Sequence, residues 1–182
     1  MFKKLDILDE KEKVLREKCE DVVFPMSKDD KKLIQRMIDH LTNSQIEELS
    51  IKYDLRPGMG LAAPQLGINK RFFVVVHEYE EGKFNNYVIV NPKIVSYSEE
   101  LIYASTGEGC LSVERDVEGI VPRYARITIE GFDEHGNPVR FRAREELSIA
   151  FQHEYDHLDG ILFYDRIDKD DPFKDEDKMR MI

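Results

Sequence analysis

A chain of 182 residues, 41% hydrophobic and 35% charged, falls within the size of one globular domain and buries roughly 70% of the surface its unfolded form exposes. No apolar run approaches the ~20 residues that cross a bilayer, and the opening MFKKLDILDEKEK lacks a signal peptide's apolar core, so neither membrane insertion nor secretion is expected. A formal net charge of -10 opposes any broad nucleic-acid contact, which needs clustered Lys and Arg.

No repeat, low-complexity tract or Gly/Ser linker divides the chain, so one domain over residues 1–182 is expected. Ser27 followed by Asp30 reads as an N-cap with an acidic third position. Leu33, Ile34, Met37, Ile38 and Leu41 then recur at helical spacing, which predicts a helix over about 28–41. The following TNSQIEELSIKYDLRPG reads as a short helical stretch or a decorated loop, inserted ahead of RPGMGLAAPQLGI.

In that stretch, glycines and alanines around Pro64 and Gln65 let main-chain groups lie against an extended ligand. The Gln65 amide is a candidate donor to a developing oxyanion, worth roughly 2.7–4 kcal/mol at the barrier if preorganised; the plainer alternative is an ordinary turn.

From Arg71 the pattern changes. RFFVVVHEY, YVIVNPKIVSY, ELIYAS, ARITIEGF and PVRFRA are rich in Val, Ile, Phe and Tyr and read as strands, with DEHGNP as a hairpin connection. Within this region Cys110 sits in GEGCLS, between glycines that permit close approach; Cys19 lies in charged EKCED. No disulfide between the two is expected in a reducing compartment.

EELSIAFQHEYDHLDG completes the pattern as a helix, with acidic residues at its start and Gly160 as a left-handed stop. Leu147, Phe151, Tyr155 and Leu158 on one face, with Ile149 and Ala150 on the other, predict burial through the middle of the molecule. Positions i and i+4 differ by about 40° around a helix axis, so His153 and His157 can share one metal ion. Glu154, turned by about 100°, falls beside that ion as a base for an activated water.

Two buried histidines next to a chance glutamate is the plainer alternative. A catalytic site of zinc type also needs a third protein ligand. No histidine follows His157 and the first glutamate after it is Glu176, in the acidic tail; Asp159, Asp165 and Asp168 remain as downstream candidates, and upstream a Cys110 thiolate offers a Cys-His-His set. The acidic DKDDPFKDEDK lacks the central glycine and final glutamate of a calcium loop.

GMGLAAPQ, EGCLS and QHEYDHLDG, in this order and spacing, resemble the three signature motifs of bacterial peptide deformylases, and the likeness runs on through NPKIV, VPRYARITIEGFDEHG and GILFYDRID. The insertion before the first motif is similar to the longer bacterial subtype. The resemblance implies a single α+β domain whose HExxH helix packs among antiparallel β-sheets. It also implies hydrolysis of the N-formyl group from the initiator methionine of newly made proteins, in the cytoplasm and at or near the ribosome, by a monomer.

Carried over residue by residue, the resemblance makes Cys110, His153 and His157 the metal ligands, holding one Fe²⁺ per chain for which Zn²⁺, Ni²⁺ or Co²⁺ can substitute. Glu154 becomes the proton shuttle, and Gln65 with the Leu111 N–H the oxyanion donors. Ile149 and Ala150, one turn before His153 on its own face, line a methionine pocket with Met59, Gly60 and Leu61 as its rim and backbone partners. Asp156 and Arg123 are complementary charges, either a buried pair beside the site or a surface salt bridge. The rival enzyme class is an HExxH-type zinc metallopeptidase; the non-enzymatic rival is a structural metal staple, for which no fourth protein ligand is evident.

Overall fold

In the computed structural model, which describes residues 2–182, helix α1 spans Lys28–Gln45. Ser27 caps it, its hydroxyl accepting from the Asp30 N–H at 3.0 Å, and Asp29 and Asp30 occupy the first turn, where the helix dipole favours negative charge. Ile34, Met37 and Leu41 are buried along one stripe, with Leu33 and Ile38 at its margin.

The helix runs one turn beyond Leu41. In that turn Ser44 Oγ accepts from the Gly58 N–H at 3.2 Å, and Gln45 Nε2 donates to Gly58 O at 3.1 Å and Val76 O at 2.9 Å. A second helix, α2 (Glu47–Tyr53), follows, so the inserted segment is mostly helical and its first turn anchors the glycine-rich stretch after it.

Strands follow in chain order: β1 (Gly60–Ala62), β2 (Phe72–Glu80), β3 (Lys83–Tyr97), β4 (Leu101–Tyr103), β5 (Arg123–Tyr124), β6 (Arg126–Phe132), β7 (Pro138–Arg144) and, after helix α3 (Glu145–Leu158), β8 (Arg180–Met181). Five form an antiparallel sheet in the order β1-β2-β3-β6-β7. The rest form a small sheet, β5-β4-β8, in which β4 and β8 pair in parallel.

Both faces of the large sheet are covered, which is why FFVVV is continuously apolar rather than alternating. Phe72, Val74 and Val76 pack with Leu61 against α1; Phe73 and Val75 pack with Ile89, Ile127 and Ile129 against α3. The Phe151 ring of α3 meets Phe73, Tyr87 and Phe141 at centroid distances of 6.0, 5.2 and 6.4 Å, a cluster within which full burial of one such ring contributes about 1.5–3 kcal/mol.

Asn91-Pro92 falls inside β3 without ending it, because the ladder bulges there and the Asn91 amide instead binds the Val22 N–H at 2.8 Å and Val22 O at 2.9 Å. The DEHGNP connection is the expected hairpin, closed by Asp133 N–H to Asn137 O at 2.9 Å. Among the described residues no helix is long and apolar enough to cross a membrane, and both cysteines are free.

Candidate metal centre

Helix α3 carries the HExxH residues into the interior. Its C-terminal half is enclosed: residues 150–154 and 156–158 are buried, with Tyr155 half-buried between them. Beyond the helix, Gly160 adopts a left-handed φ of 73°, and a Cβ there would lie 2.7 Å from the Arg16 backbone, so the turn accepts glycine for two separate reasons.

Cys110, His153 and His157 each present a donor atom, all within 4.8 Å of one another. Cys110 Sγ is 3.3 Å from His157 Nε2, while His153 Nδ1 meets Glu108 Oε2 at 2.9 Å, leaving its Nε2 for the centre. A thiolate with two imidazoles, one of them fixed by a carboxylate behind it, is the donor chemistry of a late first-row divalent ion, and these residues fit one. Asp159, Asp165 and Asp168 do not join them, being paired with Arg71, Arg16 and Lys174.

Behind His153 runs a chain of alternating charge. Arg123, buried, donates Nε and Nη2 to Glu108 at 2.6 and 2.9 Å and Nη1 to Asp156 at 2.6 Å; Arg166 then forks onto Asp156 through two contacts of 2.5 Å. Burial alone pushes Glu108 up, but the charge and hydrogen bonds of Arg123, with His153, overcome it and hold the carboxyl at about 2. Burial pulls both imidazoles down, and His157 lies well below its ordinary range; at His153 the hydrogen bonds to Cys110 and Glu108 outweigh burial and hold it well above.

Among the described residues no cationic side chain is bonded to Glu154. Burial pushes its carboxyl up to about 7, with His153 and Arg123 pulling the other way, and its Oε2 is buried without a partner. A carboxylate poised near neutrality beside a cluster of metal donors can take and return a proton at physiological pH.

Gln65 is fixed at both ends of its amide: Oε1 accepts from the Ala62 N–H at 2.9 Å, and Nε2 donates to Ser112 Oγ at 3.1 Å while lying 3.6 Å from Cys110 Sγ. The amide nitrogen is thereby held between Ser112 and the Cys110 edge of the donor cluster. Gln65, Leu111, Met59, Gly60, Ile149 and Ala150 line one cleft of about 800 Å³ with Cys110, His153 and Glu154.

Leu61 does not line it. In β1 alternate residues face opposite ways, so Gly60 turns to the cleft and Leu61, wholly buried, joins the α1 core instead. Arg123 and Asp156 form the buried pair rather than the surface one.

Glu108, Arg166 and Arg56 also hold parts of the site, without a role expected from the sequence. Arg56 reaches back to the Cys110 loop, its guanidinium donating to Cys110 O at 3.3 Å, Leu111 O at 3.4 Å and Val113 O at 3.1 Å. Glu108 opens EGCLS, Arg166 lies in GILFYDRID and Arg56 opens RPGMGLAAPQLGI, but nothing in those stretches names their partners, since long-range ion pairs leave no periodicity.

Comparison with known proteins agrees in every direction. The family profile described as polypeptide deformylase matches residues 4–173. A peptide deformylase of Shouchella clausii is 52% identical over 170 residues, 93% of either chain, and peptide deformylase 2 of Geobacillus stearothermophilus is 50% identical over 93% of this chain and 92% of its own. Among solved structures, peptide deformylase from Thermus thermophilus superposes with a TM-score of 0.71 at 34% identity, over 91% of this chain and 87% of its own. Arabidopsis thaliana peptide deformylase 1B, solved with an inhibitor, gives 0.76 at 31% identity, over 91% and 83%.

Proposed function

The chain belongs to the polypeptide deformylase family, and on that premise we propose how the residues of its cleft divide the work. The reaction is hydrolysis of the N-formyl group from the N-terminal formyl-methionine of newly synthesised proteins, releasing formate. The observation that carries the assignment of roles is the convergence of Cys110, His153 and His157 beside a buried, unpartnered Glu154 carboxylate.

Cys110, His153 and His157 hold the ion, which we take to be Fe²⁺; the same donors also suit Zn²⁺, Ni²⁺ and Co²⁺. When bound, a divalent ion supplies Lewis acidity for activating water and polarising the formyl carbonyl. Glu154 takes the proton of the attacking water and returns it to the amine nitrogen as the C–N bond breaks. Gln65 Nε2 and the Leu111 N–H donate to the oxygen that becomes negative, an arrangement supported by the tethering of Gln65 at both ends of its amide. Arg56, holding the carbonyls on either side, keeps the Leu111 peptide in one orientation.

Ile149 and Ala150 offer the apolar surface for the methionine side chain, with Met59 at the rim and Gly60 giving its backbone to an extended substrate. Leu61 serves only to anchor β1. Residues 1–182 act as one catalytic domain, as a monomer in the cytoplasm, on nascent chains near the ribosome.

An HExxH peptidase needs a third ligand after His157, and each nearby aspartate there is already held by a cation. The iron-loaded protein, given formyl-Met and unformylated Met peptides, is expected to release formate from the first and leave internal peptide bonds intact. Internal cleavage without formate would overturn the assignment.

A further inference from the structure

One wall of the cleft comes from a segment outside all three motifs. Strand β8 lies parallel to β4, and beyond it the Ile182 N–H donates to Tyr103 O at 3.0 Å while Ile182 O accepts from the Ser105 N–H at 2.8 Å. Those two bonds carry Ile182 into the lining of the cleft that also holds Met59 and His153.

The segment is latched from its other end. Arg180 forks onto Glu145, with Nη1–Oε2 at 2.8 Å and Nη2–Oε1 at 2.6 Å, and its Nε donates to Glu100 at 2.8 Å. Glu145 is itself a lining residue, and it begins α3 with a left-handed φ of 53°, a conformation that is strained in a non-glycine residue and persists only where its surroundings impose it. A two-residue edge strand has little hold of its own, so its seat depends on this fork and on the Ile182 bonds.

A cleft of about 800 Å³ has the size that encloses a drug-sized ligand, and it exceeds what one formyl-methionine fills. The remaining space takes the residues that follow. We propose that Arg180–Ile182 is a specificity element of this site: Ile182 is the apolar wall met by the substrate residues after formyl-methionine, and Arg180 is the latch that holds the wall against Glu145. This rests on the deformylase reading above.

The test compares kcat/KM for formyl-Met-Ala-X peptides, with X as Leu, Asp or Lys, in wild type, Ile182→Asp and Ile182→Lys, each loaded with iron and checked for fold by circular dichroism. The Lys variant is expected to shift selectivity towards acidic X, and the Asp variant towards basic X, by roughly fivefold each, the size of one partly screened charge pair, and to lose the shift in high salt. If either charged variant fails to fold, Ile182→Ala and Arg180→Ala carry the same comparison, with the wild-type preference for Leu over Asp at X expected to flatten through KM. Unchanged ratios across X in folded variants that release formate overturn the proposal. Absence of formate from wild type with every formylated peptide overturns the deformylase reading instead.

Discussion

Gly60 and Glu154 compete for one volume: a Cβ at Gly60 would lie 2.7 Å from both Cγ and Cδ of the Glu154 side chain. The strand β1 runs so close to α3 that only a residue without a side chain leaves the proton-carrying carboxylate where it is. Gly60 faces the cleft because alternation in β1 turns Leu61 away from it.

Gly60→Ala is therefore expected to displace the carboxylate rather than the donors of the metal. Displacing a reacting group by about 1 Å costs roughly 10²-fold, so kcat should fall by about that factor with metal content and KM little changed. Steady-state kinetics beside metal analysis of the purified variant decides it; a loss of metal in step with activity would show that the strain reaches His153 instead.

Glu154 also gives a pH-dependent stability with a definite sign. Its folded carboxyl, pushed by burial from 4.5 up to about 7, favours the protonated form, so its contribution to stability is full below about 4.5 and is lost as pH rises through about 7. In metal-stripped protein at pH 8 the ionised, unpartnered carboxylate should cost roughly 3 kcal/mol, and Glu154→Gln should melt at higher temperature than wild type. The gap should shrink on going to pH 5 in the same thermal scans, while the variant loses formate release by about 10²–10⁴-fold at every pH.

Glu108 has the opposite sign and a different role. Arg123 and His153 hold its carboxyl at about 2 against burial, so its stabilisation is present above the ordinary 4.5 and is lost as pH falls through about 2. Glu108→Gln leaves Arg123 short of a partner and His153 without its fixed acceptor. The expected loss is about 3–5 kcal/mol in urea unfolding and 10–100-fold in metal affinity against a competing chelator. A change in stability with metal affinity untouched would reduce Glu108 to a structural role.

What could be read from the residues divides along sequence distance. The α1 cap, the i, i+4 histidines and the strand runs are local patterns, and each sits where its spacing puts it. Of the four strands of two or three residues, only β4 stands out in its run ELIYAS; β1, β5 and β8 are too short to show alternation, and Leu61 was placed at the rim because the alternation in β1 was not visible. Whether Cys110 or a downstream aspartate completes the donor set turns on ion pairs up to 149 residues apart, such as Arg16 with Asp165, which no spacing rule reports. The wall at Ile182 likewise depends on a parallel pairing that only the fold brings about.

The two cysteines should separate chemically. Burial pushes the Cys19 thiol up to about 11, Asp159 and Glu17 adding to the effect and Arg71 opposing it, so at pH 8 roughly one in a thousand is ionised and the reactive thiolate is scarce. Cys110 is as little exposed as Cys19 but lines the cleft, which is the route by which a small alkylating reagent approaches it. Metal-stripped protein treated with iodoacetamide at pH 8 is expected to gain one adduct, mapped to Cys110 by peptide mass spectrometry, and iron- or zinc-loaded protein none. Unfolding in urea should yield two. An adduct on Cys110 that forms equally fast with and without metal would remove the thiolate from the donor set and leave His153 and His157 in need of another partner.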